Sequence, residues 1–282
     1  MQISIITINY NHLEGLKKTM LSVFNQSWQG FEFIIIDGGS TDGSKAYIEK
    51  HANKLTYWIS EPDHGVYHAM NKGIAKAKGE YLLFLNSGDH FYESSVLQNN
   101  HNKIANFDLI YFDWQTVGEN KKQIVHFPDK LHFSNLFLGS LPHQSTFIKK
   151  NLFDKVGLYD ENLKIVSDWK FMILALFVHE CSYKHINKTL TTFYLDGISN
   201  QIDFTSEREQ VLEEYFEPYV EDYKLILDLK KQKKILQSNR YKMLAEIEKS
   251  WFGKKIVSLF FRIYIMLFSK RKLKDVLTQK KK

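Results

Sequence analysis

The sequence predicts an α/β protein: a mostly parallel central sheet flanked by helices, with a C-terminal helical extension. Three observations carry that reading. Short continuous apolar runs at 3–8, 33–36 and 81–85 have the length and content of strands covered on both faces. Segments with apolar residues at helical spacing lie between them. Polar, turn-forming clusters follow the runs, and the crevice beyond the carboxyl ends of the strands is where open α/β sheets bind ligands.

Each element follows in order. MQISIITINY lacks a basic leader region and breaks at Asn9, so Ile3–Ile8 reads as a buried first strand and not as a signal peptide. Leu13, Leu16, Met20, Leu21 and Phe24 then recur at helical spacing. Phe33–Ile36 is a second strand that runs into the turn-rich stretch Asp37–Gly43. A helix over Ser44–His51 and a strand at Tyr57–Ile59 follow. Val66–Lys78 is a helix with Gly79 as its C-terminal stop, and Tyr81–Leu85 is the next buried strand. The polar clusters Asn9–Asn11, Asp37–Asp42, Glu61–His64 and Asn86–Asp89 would converge on one crevice. The reading divides the chain into a catalytic domain over 1–200, with halves 1–98 and 99–200, a helical extension over 201–249 and a basic tail over 250–282.

Composition narrows the function. With 44% apolar and 25% charged residues in 282, the chain can bury a sizeable core and is not disordered. The single cysteine, Cys181, excludes an internal disulfide and a four-cysteine zinc site, and fits a reducing compartment. No uncharged apolar stretch reaches the roughly 20 residues of a transmembrane helix. The net charge of +6 is unevenly spread: residues 224–282 hold 18 basic and 4 acidic residues, net +14, which leaves the rest at −8. An acidic body argues against nucleic acid as a partner, and a basic tail points to an anionic membrane surface.

Motif arithmetic removes the common nucleotide-binding alternatives. The first strand is followed by NYNHLEG without GxGxxG, and neither GxxxxGK[ST] nor GxSxG occurs, so a Rossmann dehydrogenase, a P-loop enzyme and a serine hydrolase are set aside. A nucleotidyltransferase shares a similar sheet, but no glycine- and basic-rich triphosphate loop follows the first strand. What remains is a crevice lined by Asp and Asn, suited to a divalent cation on a diphosphate or to ribose hydroxyls.

SIITINYN, IIIDGGSTDGS and SEPDHGVYHAMNKGIAKAKGEYLLFLNSGD, in that order, resemble the inverting glycosyltransferases of family 2, with the GT-A fold. The later PHQSTFIKKNLFDKVGLYDENLKIVSDWKF is similar to that family's acceptor-side segment, so the resemblance covers about residues 1–195. It implies a nucleotide diphosphate-sugar donor, a UDP-sugar favoured, and a saccharide acceptor. Thr7, Ile8, Asn9 and Tyr10 fall where the family holds the nucleoside, and Asp37 matches its first acidic residue after the second strand. Asp63, Asn71 and Lys72 fall in a segment near the sugar and diphosphate. Two departures stand out: Gly38 replaces a frequent second Asp, and Asn86-Ser87-Gly88-Asp89 replaces Asp-x-Asp-Asp. The resemblance implies Mg²⁺ or Mn²⁺ on the diphosphate, and Asp89 is the one carboxylate left to hold it, with Asn86 as neutral partner and Ser87 beside them.

Asp168 occupies the position of the family's catalytic base, which takes the proton of an acceptor hydroxyl. Pattern alone leaves a second reading, in which Ser167 or Asp168 caps a helix over Trp169–Phe177. His143 falls where the family has a residue lining the acceptor side; read alone, it is equally a structural or exposed histidine. Tyr67, Tyr111 and Trp114 have faces on which a sugar can stack, with none assigned. His12, His51, His101, His126, His132, His179 and His185 show no metal-ligand spacing.

The C-terminal part reads as charged helix from about Asp203 to Ile247, broken near Pro218. Residues 251–269 then form a wide apolar helical face with a thin polar arc of Lys255, Ser258, Arg262 and Ser269. The basic clusters Lys270–Lys274 and Lys280–Lys282 complete the pattern of a helix lying in an anionic membrane surface. The alternative is a helix packed on the catalytic domain or on a second copy. Together these expectations describe a cytoplasmic glycosyltransferase, peripheral on the inner face of the cell membrane, whose acceptor is a lipid-linked oligosaccharide of cell-surface polysaccharide or lipopolysaccharide synthesis. The competing class is a non-catalytic sugar-binding or scaffold protein with a degenerate site.

Overall fold

A computed structural model of the chain describes residues 2–118, 121–194 and 205–268. The chain divides into two units, 1–211 and 212–282. In the first, strands β1 (Ile3–Asn9), β2 (Phe31–Asp37), β3 (Tyr57–Ser60) and β4 (Tyr81–Phe84) alternate with helices α1 (Leu13–Phe24), α2 (Ser44–Lys50) and α3 (Val66–Lys76). These four strands pair in the order β3-β2-β1-β4, all parallel. Ile3, Ile5, Ile6, Ile34, Ile35, Leu82 and Leu83 are fully buried, as strands covered on both faces require. Register aligns Asn9 with Asp37 and Asp37 with Ser60, so three polar side chains stand in a row at the carboxyl edge.

Beyond β4 the sheet becomes mixed. β5 (His90–Phe91), helix α4 (Val96–Asn100), β6 (Leu109–Val117), β7 (Lys122–Val125), α5 (Phe133–Leu138), β8 (Thr146–Lys149), α6 (Leu152–Val156), α7 (Ser167–Phe177) and β9 (Tyr183–Tyr194) follow. The order continues β4-β8-β6-β9-β5, with β7 on β6; β8 runs antiparallel to both neighbours, and β6 and β9 are parallel. The β6–β9 ladder shifts register around Asp113, a buried carboxylate. It accepts from His126 Nδ1 at 2.7 Å and from the Phe127 amide at 3.0 Å, and faces His185 Nε2 at 2.8 Å. His126 and His185, bland in the sequence, thus pin the chain that leads into α5.

Two local expectations change. Gly79 is not a left-handed helix stop: α3 ends three residues earlier, and a Cβ on Gly79 would lie 2.5 Å from Ser4 Oγ and 2.6 Å from Ser4 N. Its amide donates to Glu32 Oε1 (3.0 Å) and Ser4 Oγ (2.8 Å), so the glycine serves close backbone approach to β1 and the buried Glu32. The predicted break near Pro218 is also absent. Helix α8 (Thr205–Leu236) runs through Pro218 and ends before Ser238, whose hydroxyl accepts from the Tyr241 amide and caps α9 (Asn239–Ile247).

In the second unit, helix α10 (Trp251–Phe268) is apolar on most of its circumference. Trp251, Phe252, Leu259, Phe260, Leu267 and Phe268 are all exposed. Among the described residues no helix is long and apolar enough to cross a membrane. Ser269 and the clusters Lys270–Lys274 and Lys280–Lys282 lie outside the described residues.

Candidate active site

At the carboxyl edge, β1 and β2 end in a closed network. Asp37 is fully buried and takes four donors: Asn9 Nδ2 (2.7 Å) and Ser40 Oγ (2.6 Å) on Oδ1, Ser60 Oγ (2.6 Å) and the Ser40 amide (3.0 Å) on Oδ2. A carboxylate has about four acceptor sites, so Asp37 is spent on shaping this edge. Thr7 and Ile8 are likewise buried in the strand, where Thr7 Oγ1 donates to Leu85 O at 2.7 Å and ties β1 to β4. Tyr10 is exposed beside this network, and Asn9 Oδ1 is a buried acceptor without a partner.

Gly38 has a steric reason. A Cβ there would meet Asp63 Oδ2 at 2.5 Å and Tyr10 Cδ2 at 3.2 Å. The carboxylate missing at position 38 is therefore replaced in space by that of Asp63, which also accepts from the Gly65 amide at 2.9 Å. Asn71 and Lys72 are engaged nearby. Asn71 exchanges two bonds with the Tyr159 backbone and donates to Glu161 Oε1 at 2.8 Å, which staples α3 to the loop before α7. Lys72 pairs with Glu61 at 2.7 Å at the mouth of the crevice.

The turn after β4 holds Asn86, Ser87 and Asp89. Gly88 lies at φ +106°, a conformation in which L side chains are strained, with the His12 ring 3.2 Å from the place of its Cβ. An Asp at position 88 would be strained in this turn and would press on the His12 ring. Asp89 is buried; desolvation pushes its carboxyl up to about 7, with the charge of His143 acting against the rise. Asn86 Oδ1 and Ser87 Oγ are buried without partners. Among the described residues no group of three His, Cys, Asp or Glu is placed to hold a metal. One carboxylate plus unpartnered amide and hydroxyl oxygens in one turn is nonetheless an oxygen donor set fitted to a hard cation that takes its other ligands from a diphosphate and water.

Asp168 stands in the first turn of α7. Asp168 lies inside the helix and is not its N-cap, which is Val166 with no side-chain bond. Ser167 is also engaged elsewhere, its Oγ accepting from the Asp160 amide. Asp168 Oδ2 faces His143 Nδ1 at 3.1 Å, and Oδ1 lies 3.0 Å from the Tyr67 hydroxyl. Asp168 is 17% exposed and His143 22%, so both are sheltered but not sealed from solvent. Burial alone would raise the Asp168 carboxyl; the His143 hydrogen bond and charge, then Tyr67, outweigh it and hold it below the ordinary carboxylate value. His143 moves the opposite way: burial would lower it, and Asp168 with Asp89 raises it. Both directions describe an ionised Asp168 at neutral pH.

His143 links the two halves of the site, because its Nε2 lies 3.2 Å from Asn86 Nδ2. A neutral ring protonated on Nδ1 satisfies both contacts, donating to Asp168 and accepting from Asn86. On protonation the Asn86 amide must turn to present Oδ1, the oxygen otherwise without a partner. Sequence reasoning left Tyr67 as one of three unassigned aromatics; of the others, Tyr111 is core and Trp114 stacks on Phe193 at 5.0 Å. The signal for Tyr67 is its place in the second residue of α3, beside the donor-side segment.

Comparison with known proteins agrees with this geometry. The Glycosyl transferase family 2 model matches residues 4–154. An uncharacterized glycosyltransferase of Mycobacterium tuberculosis is 34% identical over 206 residues, covering 70% of this chain and 77% of the relative. A PGL/p-HBAD biosynthesis glycosyltransferase of Mycobacterium bovis is 32% identical over 211 residues, covering 71% and 79%. In fold, the chain is similar to S. aureus TarS 1–349 in complex with UDP-GlcNAc, with TM-score 0.61 and 18% identity over 98% of this chain and 78% of that one.

Proposed function

Since the chain belongs to glycosyl transferase family 2, we propose that it moves a sugar, with inversion, from a nucleotide diphosphate-sugar to a saccharide hydroxyl. A UDP-sugar is the favoured donor, in keeping with the UDP-GlcNAc bound by TarS. The observation that carries this reading is the ionised Asp168 held between His143 and Tyr67, with His143 also reaching Asn86 in the turn after β4. In the proposed reaction the acceptor oxygen attacks the anomeric carbon and its proton passes to Asp168. The bond from that carbon to the diphosphate oxygen breaks, and the nucleoside diphosphate leaves with the electron pair. Asn9 Oδ1, Tyr10 and Asp63 face the nucleoside, and Asp37 fixes the edge they stand on. Asp89 and Asn86 would hold Mg²⁺ or Mn²⁺, which when bound supplies positive charge for the leaving diphosphate.

The acceptor we infer is lipid-linked, in cell-surface polysaccharide or lipopolysaccharide synthesis, with the protein peripheral on the inner face of the membrane. Supporting this are the exposed apolar face of α10 and the concentration of positive charge in residues 224–282. The second reading, a non-catalytic sugar-binding scaffold, draws on Gly38 and Gly88, where family carboxylates are missing. Calorimetric binding of UDP, GDP, CDP and dTDP, each with Mn²⁺ and with EDTA, separates the two. Selective binding of one diphosphate, weakened by EDTA, is the expected result; a folded protein that binds none of them would favour the scaffold.

A further inference from the structure

We propose that Glu207 and Arg208, consecutive residues at the head of α8, are positioning residues that hold the Asp168 carboxylate from both sides. This rests on the reading of Asp168 as the base. Neither residue lies in the family-like motifs, and both stand in the first unit, ahead of its boundary at Val211.

The two arms are built separately. Glu207 accepts from two successive amides, Lys164 N on Oε1 at 2.8 Å and Ile165 N on Oε2 at 3.1 Å. The Tyr67 hydroxyl lies 2.5 Å from the carbonyl of Ile165, the residue so held, and 3.0 Å from Asp168 Oδ1, and the two acceptors share its single proton. Arg208 takes the other side. Its Nη2 donates to Leu136 O at 3.3 Å and to Gly139 O, and its guanidinium lies 4.4 Å from the Trp169 ring centroid. Leu136 O also accepts from Trp169 Nε1 at 2.8 Å, so the residue after Asp168 is fixed at both its ring face and its indole N–H. The segment held at Gly139 leads directly into His143, which reaches Asp168 Oδ2 at 3.1 Å. Each oxygen of the carboxylate thus has a side-chain contact, and the chain behind each of these contacts is clamped by one of two neighbouring side chains. A base must meet its acceptor hydroxyl within a narrow range of distance and angle, and a misplacement of about 1 Å costs on the order of a hundredfold in rate.

The test uses the full-length chain with Glu207→Ala, Glu207→Gln, Arg208→Ala and Arg208→Lys. For each variant, nucleoside diphosphate release from UDP-, GDP-, CDP- and dTDP-linked sugars, with water as the acceptor hydroxyl that takes the sugar and gives its proton to Asp168, is measured together with diphosphate affinity and thermal midpoint. Both alanine variants should lose roughly tenfold or more in kcat, while donor KM and diphosphate affinity stay within about twofold. Glu207→Gln keeps one acceptor oxygen and Arg208→Lys keeps the charge without the flat stacking surface, so each should recover part of the rate. The proposal is overturned if both alanine variants turn over within about twofold of wild type, or if their loss appears as weaker donor binding. A rate loss that follows the thermal midpoint through all four variants overturns it equally. A wild-type protein that releases diphosphate from none of the donors sinks the reading of Asp168 itself, and this proposal with it. An active wild type with indifferent variants sinks only the role of the pair.

Discussion

At the scale of the residue, Asp168 shows how an acidic side chain is kept ready. Desolvation opposes its charge, and His143 and Tyr67 restore it. Asp168→Asn keeps the shape and loses the proton acceptor, so turnover should fall about a hundredfold or more while diphosphate affinity measured by calorimetry stays unchanged. Asp160 offers a cleaner view of the same physics away from the chemistry. The Lys170 hydrogen bond, 2.9 Å long, holds its carboxyl below the ordinary carboxylate value against a modest opposing effect of burial. A lowered folded value means that the stabilisation is present above the unfolded value of roughly 3.9 and disappears as pH falls through the folded one. Asp160→Asn should therefore lower stability by up to about 1 kcal/mol at pH 7. In urea titrations the difference from wild type should shrink below about pH 4.

At the scale of the element, the parallel half was legible because its strands are buried on both faces and read as unbroken apolar runs, and because polar residues follow them. Its site was less so. Asn9 and Asp37 stand out in the sequence, yet only the register of β1, β2 and β3 reveals that Asp37 is consumed by Asn9, Ser40 and Ser60. Tyr67, Glu207 and Arg208 act through backbone carbonyls and amides of distant segments, and no spacing rule encodes such partners. Gly79 illustrates the same limit, since a glycine after a helix fits a left-handed stop as well as a close approach. Gly79→Ala should cost about 2 kcal/mol in denaturant unfolding, because the added methyl meets the backbone of β1 at Ile3 and Ser4 as well as the Ser4 hydroxyl. A glycine needed only for a stop would lose far less here, as α3 has already ended at Lys76.

At the scale of the whole molecule, the charge asymmetry and the apolar face of α10 belong to the proposed membrane role. Leu259→Glu with Phe260→Glu in the full-length chain should abolish co-sedimentation with vesicles containing anionic lipid and leave diphosphate binding intact. Retained sedimentation would assign the face to protein contact. The first unit carries one further lesson in the pairing of Gly38 with Asp63. A Cβ at position 38 would lie 2.5 Å from Asp63 Oδ2 and make that carboxylate turn away, so the effect of a substitution at one position depends on the residue at the other. Gly38→Asp alone should be harmful, and the same change made together with Asp63→Gly should be tolerated. Such coupling would favour chains that carry an acid at one of the two places over chains that carry it at both.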